Sequence, residues 1–489
     1  MCGVFGVTNS RDASKLIYLG LFALQHRGQE SAGMSLVSPA DSTGIGNPSS
    51  IQTHKDFGLV CDVFPESRLQ ELKGTAGIGH VRYSTAGGNR AANVQPLSAQ
   101  LTGQPVAISH NGNLVNDSAL RRQLEAQGAL FQGTADTELI LHTMAHSSQT
   151  LMEEKVFDSL KMARGAFSLL VLTPTHLLAA VDPCGYRPLV LGKMDRSDGD
   201  APSFVVCSET CALDLVGAQF VRDLVPGEFL SIECATGKVT SRLLPSLEGS
   251  QGTQIQSRCS FEHIYFARPD SHIWGQNVLE VRRQIGLALA AQSPVDADAV
   301  MAVPDSGIPM AMGYAQGSGL PFQIGFIRNH YVGRTFIEPT QSIRNFRVRL
   351  KLNPVRSLVQ GKRLVVIDDS IVRGTTSRKI VELLREAGAK EIHLRIGSPM
   401  VKFPCFYGID TPKRKELLAQ KMDLLEMKEF LKVDSLDFLH QDQLIQVMRQ
   451  TLPVPPAAAR THPKAGWCVS CFDGIYQDLE AQTQIELDI

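Results

Sequence analysis

Residues 363–377 read RLVVIDDSIVRGTTS. An apolar run suited to one buried strand ends on Asp368 and Asp369, a polar turn spans Ser370 to Ser377, and helical periodicity runs from Ser377 to Ala387. Backbone N–H groups in such a turn and at the helix start form a cradle for a phosphate. The hydroxyls of Ser370, Thr375 and Thr376, the Arg373 side chain and the Gly374 backbone add donors to it. The paired carboxylates suit ribose hydroxyls and magnesium, a hard cation that prefers oxygen ligands. The plainer alternative is an acidic strand end with a solvated turn.

Working outward, ADAVMAVP (297–304) precedes a helical segment, Gly307 to Gln316, and EIHLRIGS (391–398) follows the Ser377–Ala387 helix. Strand and helix in alternation indicate a parallel sheet. AVPDSGIPMA (302–311) repeats the strand–loop–helix order and offers Asp305, Ser306 and Gly307 as a pyrophosphate cradle. Loops at the carboxyl ends of neighbouring parallel strands converge on one crevice. Between the two loops lies a basic stretch, 328–355, with Arg328, Arg334, Arg344, Arg347, Arg349 and Lys351. Nucleic-acid binding is one reading of it. The chain's net charge of −1 and the flanking phosphate loops favour a lid over a small polyanion.

At 489 residues the chain is too long for one core. With 43% hydrophobic and 20% charged residues it reads as globular, without the global field that nucleic acid or an anionic membrane would require. No apolar run has the length of a membrane helix and the start lacks a secretory signal, so a cytoplasmic protein is expected. The stretch from Pro245 to Ser257 carries no apolar periodicity and reads as a linker. The expected units are residues 2–245, residues 258–450 and a tail of residues 451–489.

The first unit mixes close-set strands with helices at Ala13–Leu24, Asp117–Gln127 and Thr137–His146, a pattern of antiparallel sheets layered with helices. It opens MCGVFGV. Removal of Met1 would give Cys2 a free α-amine, which titrates near the thiol and can act as its base. By itself Cys2 also reads as a small residue starting a buried strand. Four polar strings, three of them glycine-bearing, change that reading: QHRGQESAG (25–33), HVRYSTAG (80–87), HNGNLVN (110–116) and ADTE (135–138). A thiol attacking a carboxamide creates an oxyanion, and the Asn111 amide with the adjacent Gly112 N–H supplies two donors. A free amino acid needs a cation and an anion for its two ends, and Arg82 and Asp136 offer one of each. Taken singly, each of these residues reads as structural or solvent-facing.

Together these strings resemble the N-terminal-nucleophile glutamine amidotransferase domain, and the 367–377 loop resembles the signature of type I phosphoribosyltransferases. The combination, with YVGRTFI (331–337), resembles the glutamine phosphoribosylpyrophosphate amidotransferase family over essentially the whole chain. The resemblance implies an α+β αββα sandwich followed by a parallel α/β domain. It further implies Cys2 as the nucleophile that forms a γ-glutamyl thioester, Arg82 and Asp136 as glutamine ligands, and Asn111 with Gly112 as the oxyanion hole. His26 and Arg27 would support that site structurally. Phosphoribosyl pyrophosphate would lie on Asp305, Ser306, Asp368, Asp369, Ser370, Arg373, Gly374, Thr375 and Thr376 under a lid carrying Arg334 and Lys351. One magnesium ion per subunit would sit on Ser306, Asp368 and Asp369. The implied products are 5-phosphoribosylamine, pyrophosphate and glutamate, the first committed step of purine synthesis, with ammonia passing internally. A homotetramer inhibited by purine nucleotides is implied as well.

The chain has ten cysteines. Cys468 and Cys471 in GWCVSCFDG are spaced like paired metal ligands but need two more; by spacing alone, zinc and buried free thiols both remain open. Cys259 in CSFEHIYFARPDS and Cys405 in FPCFYGID resemble the ligand contexts of the family's iron–sulfur subset, which implies one [4Fe-4S] cluster per subunit on these four residues. Cys61, Cys184, Cys207, Cys211 and Cys234 are expected to be small buried hydrophobes. Cys184 stands where the family suggests an aromatic residue. Cluster-bearing relatives often carry a propeptide before the nucleophile, whereas here only Met1 precedes Cys2, a departure from the family pattern. Glucosamine-phosphate synthase and asparagine synthase share the first half's resemblance, but the 367–377 loop speaks against both. A ligand sensor that kept the phosphoribosyl pocket and lost catalysis is the reading from another class.

Overall fold

The computed structural model describes residues 1–38, 50–83, 88, 90–195, 201–245, 256–329, 352–452 and 466–477. In the first half, strands alternate their apolar side chains between two layers, as a pleat with a period of two requires. In Gly3–Val7, Phe5 and Val7 join one core while Val4 joins another; in Gly165–Leu172, Phe167, Leu169 and Val171 face one way and Leu170 and Leu172 the other. Among the described residues these strands form an antiparallel seven-stranded sheet centred on Gly3–Val7 and an antiparallel six-stranded sheet containing Gln104–Leu114 and Gly165–Leu172.

The core holding Val4, Ile78, Leu170 and Val206 lies between the sheets. Helix Ala13–Ala23 packs outside the larger sheet, and helices Asp117–Ala126, Thr137–His146 and Met152–Leu160 outside the smaller. This is the expected αββα sandwich.

In the second half the strands Ala299–Ala302, Arg363–Asp368, Glu391–Ile396 and Ser435–Phe438 form a four-stranded parallel sheet in that spatial order. Both faces are covered, as parallel sheets demand. Val300, Val365 and Ile367 pack with helices Val278–Gln292 and Ile308–Ser318, while Met301, Leu364 and Val366 pack with helix Thr375–Glu386. That last helix begins two residues earlier than its periodicity indicates, because Gly374, at φ 72°, turns the chain so that Thr375 and Thr376 already lie in its first turn.

The tail returns to the domain junction. Trp467–Cys468 pairs in parallel with Arg258–Cys259, the residues that leave the linker. Among the described residues no helix is long and apolar enough to cross a membrane.

Candidate functional site

Cys2 sits at the entrance to the central strand Gly3–Val7 and is buried. Its backbone N–H donates to Asn111 Oδ1 at 3.1 Å, and its Sγ lies 3.7 Å from the Tyr83 carbonyl. The first of these bonds orients the Asn111 amide. Its Nδ2 is thereby left buried and without a hydrogen-bond partner, a donor held ready beside the thiol. Gly112, next along the same strand, has φ 154°, and a Cβ there would stand 2.0 Å from the Ala166 carbonyl oxygen, so no other residue fits.

Arg82 ends the strand beside Gly3–Val7; its Nη2 donates to the Gly88 carbonyl at 2.9 Å, while Nη1 is buried with no partner. Asp136 accepts from the Leu114 N–H at 2.9 Å and stands 3.4 Å from His110 Nδ1. Burial opposes the charge on both members of this pair, but their attraction prevails: His110 is raised and Asp136 lowered. Two unpaired donors and a carboxylate therefore surround one thiol. This set can accept the ends of a zwitterion and a carbonyl oxygen that gains charge.

Behind the thiol lies a buried ion network that crosses between the halves. Arg27 Nη2 donates to Glu262 at 2.6 Å and its Nε to Glu209; Glu209 also accepts from His26 at 2.7 Å and from Ser271 at 2.6 Å. Arg187 Nη1 donates to Glu262 at 3.3 Å, and its Nε to the Tyr407 carbonyl at 3.0 Å. Arg27, Arg187, Glu209 and Glu262 are all fully buried. Each charge is matched, which offsets a desolvation cost that would otherwise be several kcal/mol per ion (about that size in real proteins).

In the second half, Asp368 ends the Arg363–Asp368 strand and Asp369 follows it, both buried. The two expected loops meet here: Ser306 Oγ donates to Asp369 Oδ1 at 2.5 Å and Ser370 Oγ to Oδ2 at 2.5 Å. Burial pushes both carboxyls up, Asp368 further because Asp369 stands beside it. Oxygen ligands gathered from two loops, with their charge costly to bury, fit a magnesium ion. Arg328 pairs with Asp305, and Arg373 with Glu416 at 3.0 Å on the surface.

A third centre lies at the junction. Cys259, Cys405, Cys468 and Cys471 line one cavity with Tyr186 and Tyr407, whose rings stack 4.0 Å apart. Cross-strand pairing sets Cys259 beside Cys468, and the Tyr407 N–H donates to Cys405 Sγ at 3.3 Å. Among the described residues no three Cys, His, Asp or Glu side chains converge as ligands of one ion. Zinc with Zn–S bonds of about 2.3 Å would require sulfurs only about 3.8 Å apart. A four-iron cluster takes each thiolate on a separate iron, so a cavity ringed by dispersed thiols fits the cluster better. Burial pushes Cys259 up to about 12 and Cys468 up to about 11.

Residues 80–214 match the glutamine amidotransferase domain family and residues 283–396 the phosphoribosyl transferase domain family. An amidophosphoribosyltransferase from Bacillus subtilis is 44% identical over 98% of this chain and 95% of its own length. The chloroplastic amidophosphoribosyltransferase 1 of Arabidopsis thaliana is 47% identical over 97% of this chain and 78% of its own. The chain belongs to the amidophosphoribosyltransferase family. Among solved structures, a glutamine phosphoribosylpyrophosphate amidotransferase from B. subtilis complexed with ADP and GMP superposes with a TM-score of 0.86 at 42% identity, over 98% of each chain.

For an amidophosphoribosyltransferase the placement of the expected residues is mixed. Cys2, Arg82, Asn111, Gly112 and Asp136 come together, as do Ser306, Asp368, Asp369 and Ser370. Arg334, Lys351 and the other residues of the expected lid from 330 to 351 lie outside the described residues. Two cysteines need correction. Cys61 is exposed, because the short helix Val60–Val63 turns Val60 and Val63 inward and leaves Cys61 outside; Cys234 is only half-buried, just past the end of its strand. Cys184, Cys207 and Cys211 are buried as expected. His110, Arg187, Glu209 and Glu262 carry the support of the site and were not singled out by sequence. Two of them stand inside strings already quoted, His110 in HNGNLVN and Glu262 in CSFEHIYFARPDS, and Arg187 lies three residues beyond Cys184.

Proposed function

We propose that this enzyme of purine biosynthesis hydrolyses glutamine at Cys2 and uses the ammonia to displace pyrophosphate from phosphoribosyl pyrophosphate, giving 5-phosphoribosylamine. The observation that carries the first half is the pair of buried, unpartnered donors, Asn111 Nδ2 and Arg82 Nη1, beside the thiol. With Met1 removed, the Cys2 α-amine takes the thiol proton and the thiolate attacks the carboxamide carbon. The oxyanion forms against Asn111 Nδ2 and the Gly112 N–H. The amine's proton goes to the leaving ammonia, and water then cleaves the thioester to glutamate. Arg82 holds the substrate carboxylate and Asp136 its ammonium.

At the second site the Ser370–Thr376 turn and the start of the following helix bind the 5-phosphate, and Asp305 with Ser306 binds near the pyrophosphate. Asp368 and Asp369 orient the ribose hydroxyls. Ser306, Asp368 and Asp369 would hold magnesium, which when bound neutralises charge on the departing pyrophosphate. Arg334 and Lys351 close the site against water. Cys259, Cys405, Cys468 and Cys471 would hold a [4Fe-4S] cluster that ties tail to body. A cytoplasmic homotetramer completes the proposal, and the ADP and GMP named with the B. subtilis structure support its inhibition by purine nucleotides.

The test is anaerobic turnover with glutamine, magnesium and phosphoribosyl pyrophosphate, following glutamate and pyrophosphate together. Stoichiometric, mutually dependent release is expected. Glutamate release indifferent to phosphoribosyl pyrophosphate, with no pyrophosphate formed, would reduce the protein to a glutaminase with a sensor domain.

A further inference from the structure

The turn Cys405–Gly408 comes from the transferase half, yet it lies against the glutaminase centre. Gly408 has φ 97°, and a Cβ built on it would stand 2.8 Å from the carbonyl carbon, 2.9 Å from the oxygen and 3.0 Å from the Cα of Gly112. All three atoms are backbone, so none can swing aside. On its own Cβ side Gly112 already meets the Ala166 carbonyl. The Cα and carbonyl of Gly112 are therefore seated against a turn from the other domain, while its own Cβ side faces the Gly165–Leu172 strand.

That turn is itself fixed. The Phe406 carbonyl accepts from Asn113 Nδ2 at 3.0 Å, one residue beyond Gly112. The Tyr407 carbonyl accepts from buried Arg187 at 3.0 Å, and its N–H donates to Cys405 Sγ at 3.3 Å. A donor aimed at a developing oxyanion must be placed to within a few tenths of an ångström to act fully (about 0.5 Å).

We propose that Gly408 is a positioning residue for glutamine hydrolysis: the Cys405–Gly408 turn is the wall that sets the Gly112 Cα and carbonyl, and through that Cα the adjoining N–H donor, from the transferase side. The inference rests on Cys2, Asn111 and Gly112 acting as proposed above. It makes hydrolysis sensitive to the seating of a turn whose root is a cysteine of the junction cavity.

The test uses the full-length holoenzyme carrying Gly408→Ala. The kcat for glutamine hydrolysis should fall about 100-fold, with glutamine KM and ammonia-dependent synthesis each within about twofold of the parent and iron content unchanged. Alkylation of Cys2 by iodoacetamide creates no oxyanion at this position, so its rate should hold. Binding of the γ-aldehyde analogue of glutamate, which does create one with the thiol, should weaken in step with kcat.

Unchanged hydrolysis, or loss of alkylation in parallel with hydrolysis, would overturn the proposal. Should Gly408→Ala not fold, Asn113→Ala removes the tie to Phe406 without adding an atom. It should lower hydrolytic kcat about 3- to 10-fold with the same split, and an unchanged kcat would overturn the proposal equally. Cys2→Ala run alongside separates the two readings. Continued hydrolysis there would sink the site assignment itself, whereas an inert Cys2→Ala beside fully active Gly408→Ala and Asn113→Ala would sink only the positioning role.

Discussion

Around Cys2 the buried charges are matched within the chain, Arg27 and Arg187 against Glu209 and Glu262, and His110 against Asp136. At the end of the Arg363–Asp368 strand the two buried carboxylates instead share hydroxyl and amide donors, from Ser306, Ser370 and the Asp369 N–H. The first site is built to receive a ligand of no net charge, and what it leaves unpaired are neutral or cationic donors. The second buries two carboxyls whose charge is costly there, a cost that a cation arriving with an anionic substrate would relieve. A pocket of the first kind can be ready before substrate comes. One of the second kind is completed by what binds to it.

The sharpest way to separate the two regions is Cys2→Ala. Glutamine-dependent synthesis and hydrolysis should fall by about 10⁴-fold or more, while ammonia-dependent synthesis stays near the parent rate; parallel loss of both in steady-state assays would mean the sites are not separable. Asn111→Ala should cost about 10²- to 10³-fold in hydrolytic kcat, since it deletes the donor held ready beside the thiol. A small effect there would show that the Gly112 N–H suffices. Asp369→Asn probes the opposite end: synthesis from glutamine and from ammonia should drop together by about 100-fold, and the magnesium concentration for half-maximal rate should rise. If only the glutamine-dependent rate fell, the carboxylate would not belong to the shared site.

Stability should follow the same division. Burial acts against the charge of Glu209, but Arg27 and then His26 outweigh it and hold the carboxyl below the ordinary range. A depressed folded value means that this stabilisation is present above the unfolded value of about 4.3 and fades as pH falls below it. Glu209→Gln should therefore cost about 3 kcal/mol at neutral pH in denaturant unfolding and flatten the acid limb of the stability curve. A variant with an unaltered acid limb would place the pH dependence elsewhere. Cys61→Ser should change stability by less than about 0.5 kcal/mol. In the native apo-protein, loss of the thiol labelled fastest by a bulky reagent would confirm the corrected exposure of Cys61.

The sequence made the chemistry legible where it is written in consecutive residues. Asp368, Asp369 and the following turn declare a strand, a cradle and a helix in fifteen letters, and only the helix start is displaced, by Gly374. HNGNLVN supplies both proposed oxyanion donors from one strand. What escaped is long-range. Arg27 and Glu262 are 235 residues apart, and Gly408 meets Gly112 across nearly 300 positions; no periodicity joins such partners. Cys61 was misread for a local reason: a four-residue helix offers too little pattern to say which side faces water.

The pairing of Arg258–Cys259 with Trp467–Cys468 also has a consequence for the order in which the molecule is made. Synthesis delivers every described strand of both large domains before residue 467 emerges, and domains of this kind begin folding as they leave the ribosome. A chain interrupted after residue 452 would already hold its three large sheets, but only Cys259 and Cys405 of the four junction thiols. Completion of that cavity thus waits for residues 466–471, and a product terminated at residue 452 would be left with an unclosed seam at the domain junction.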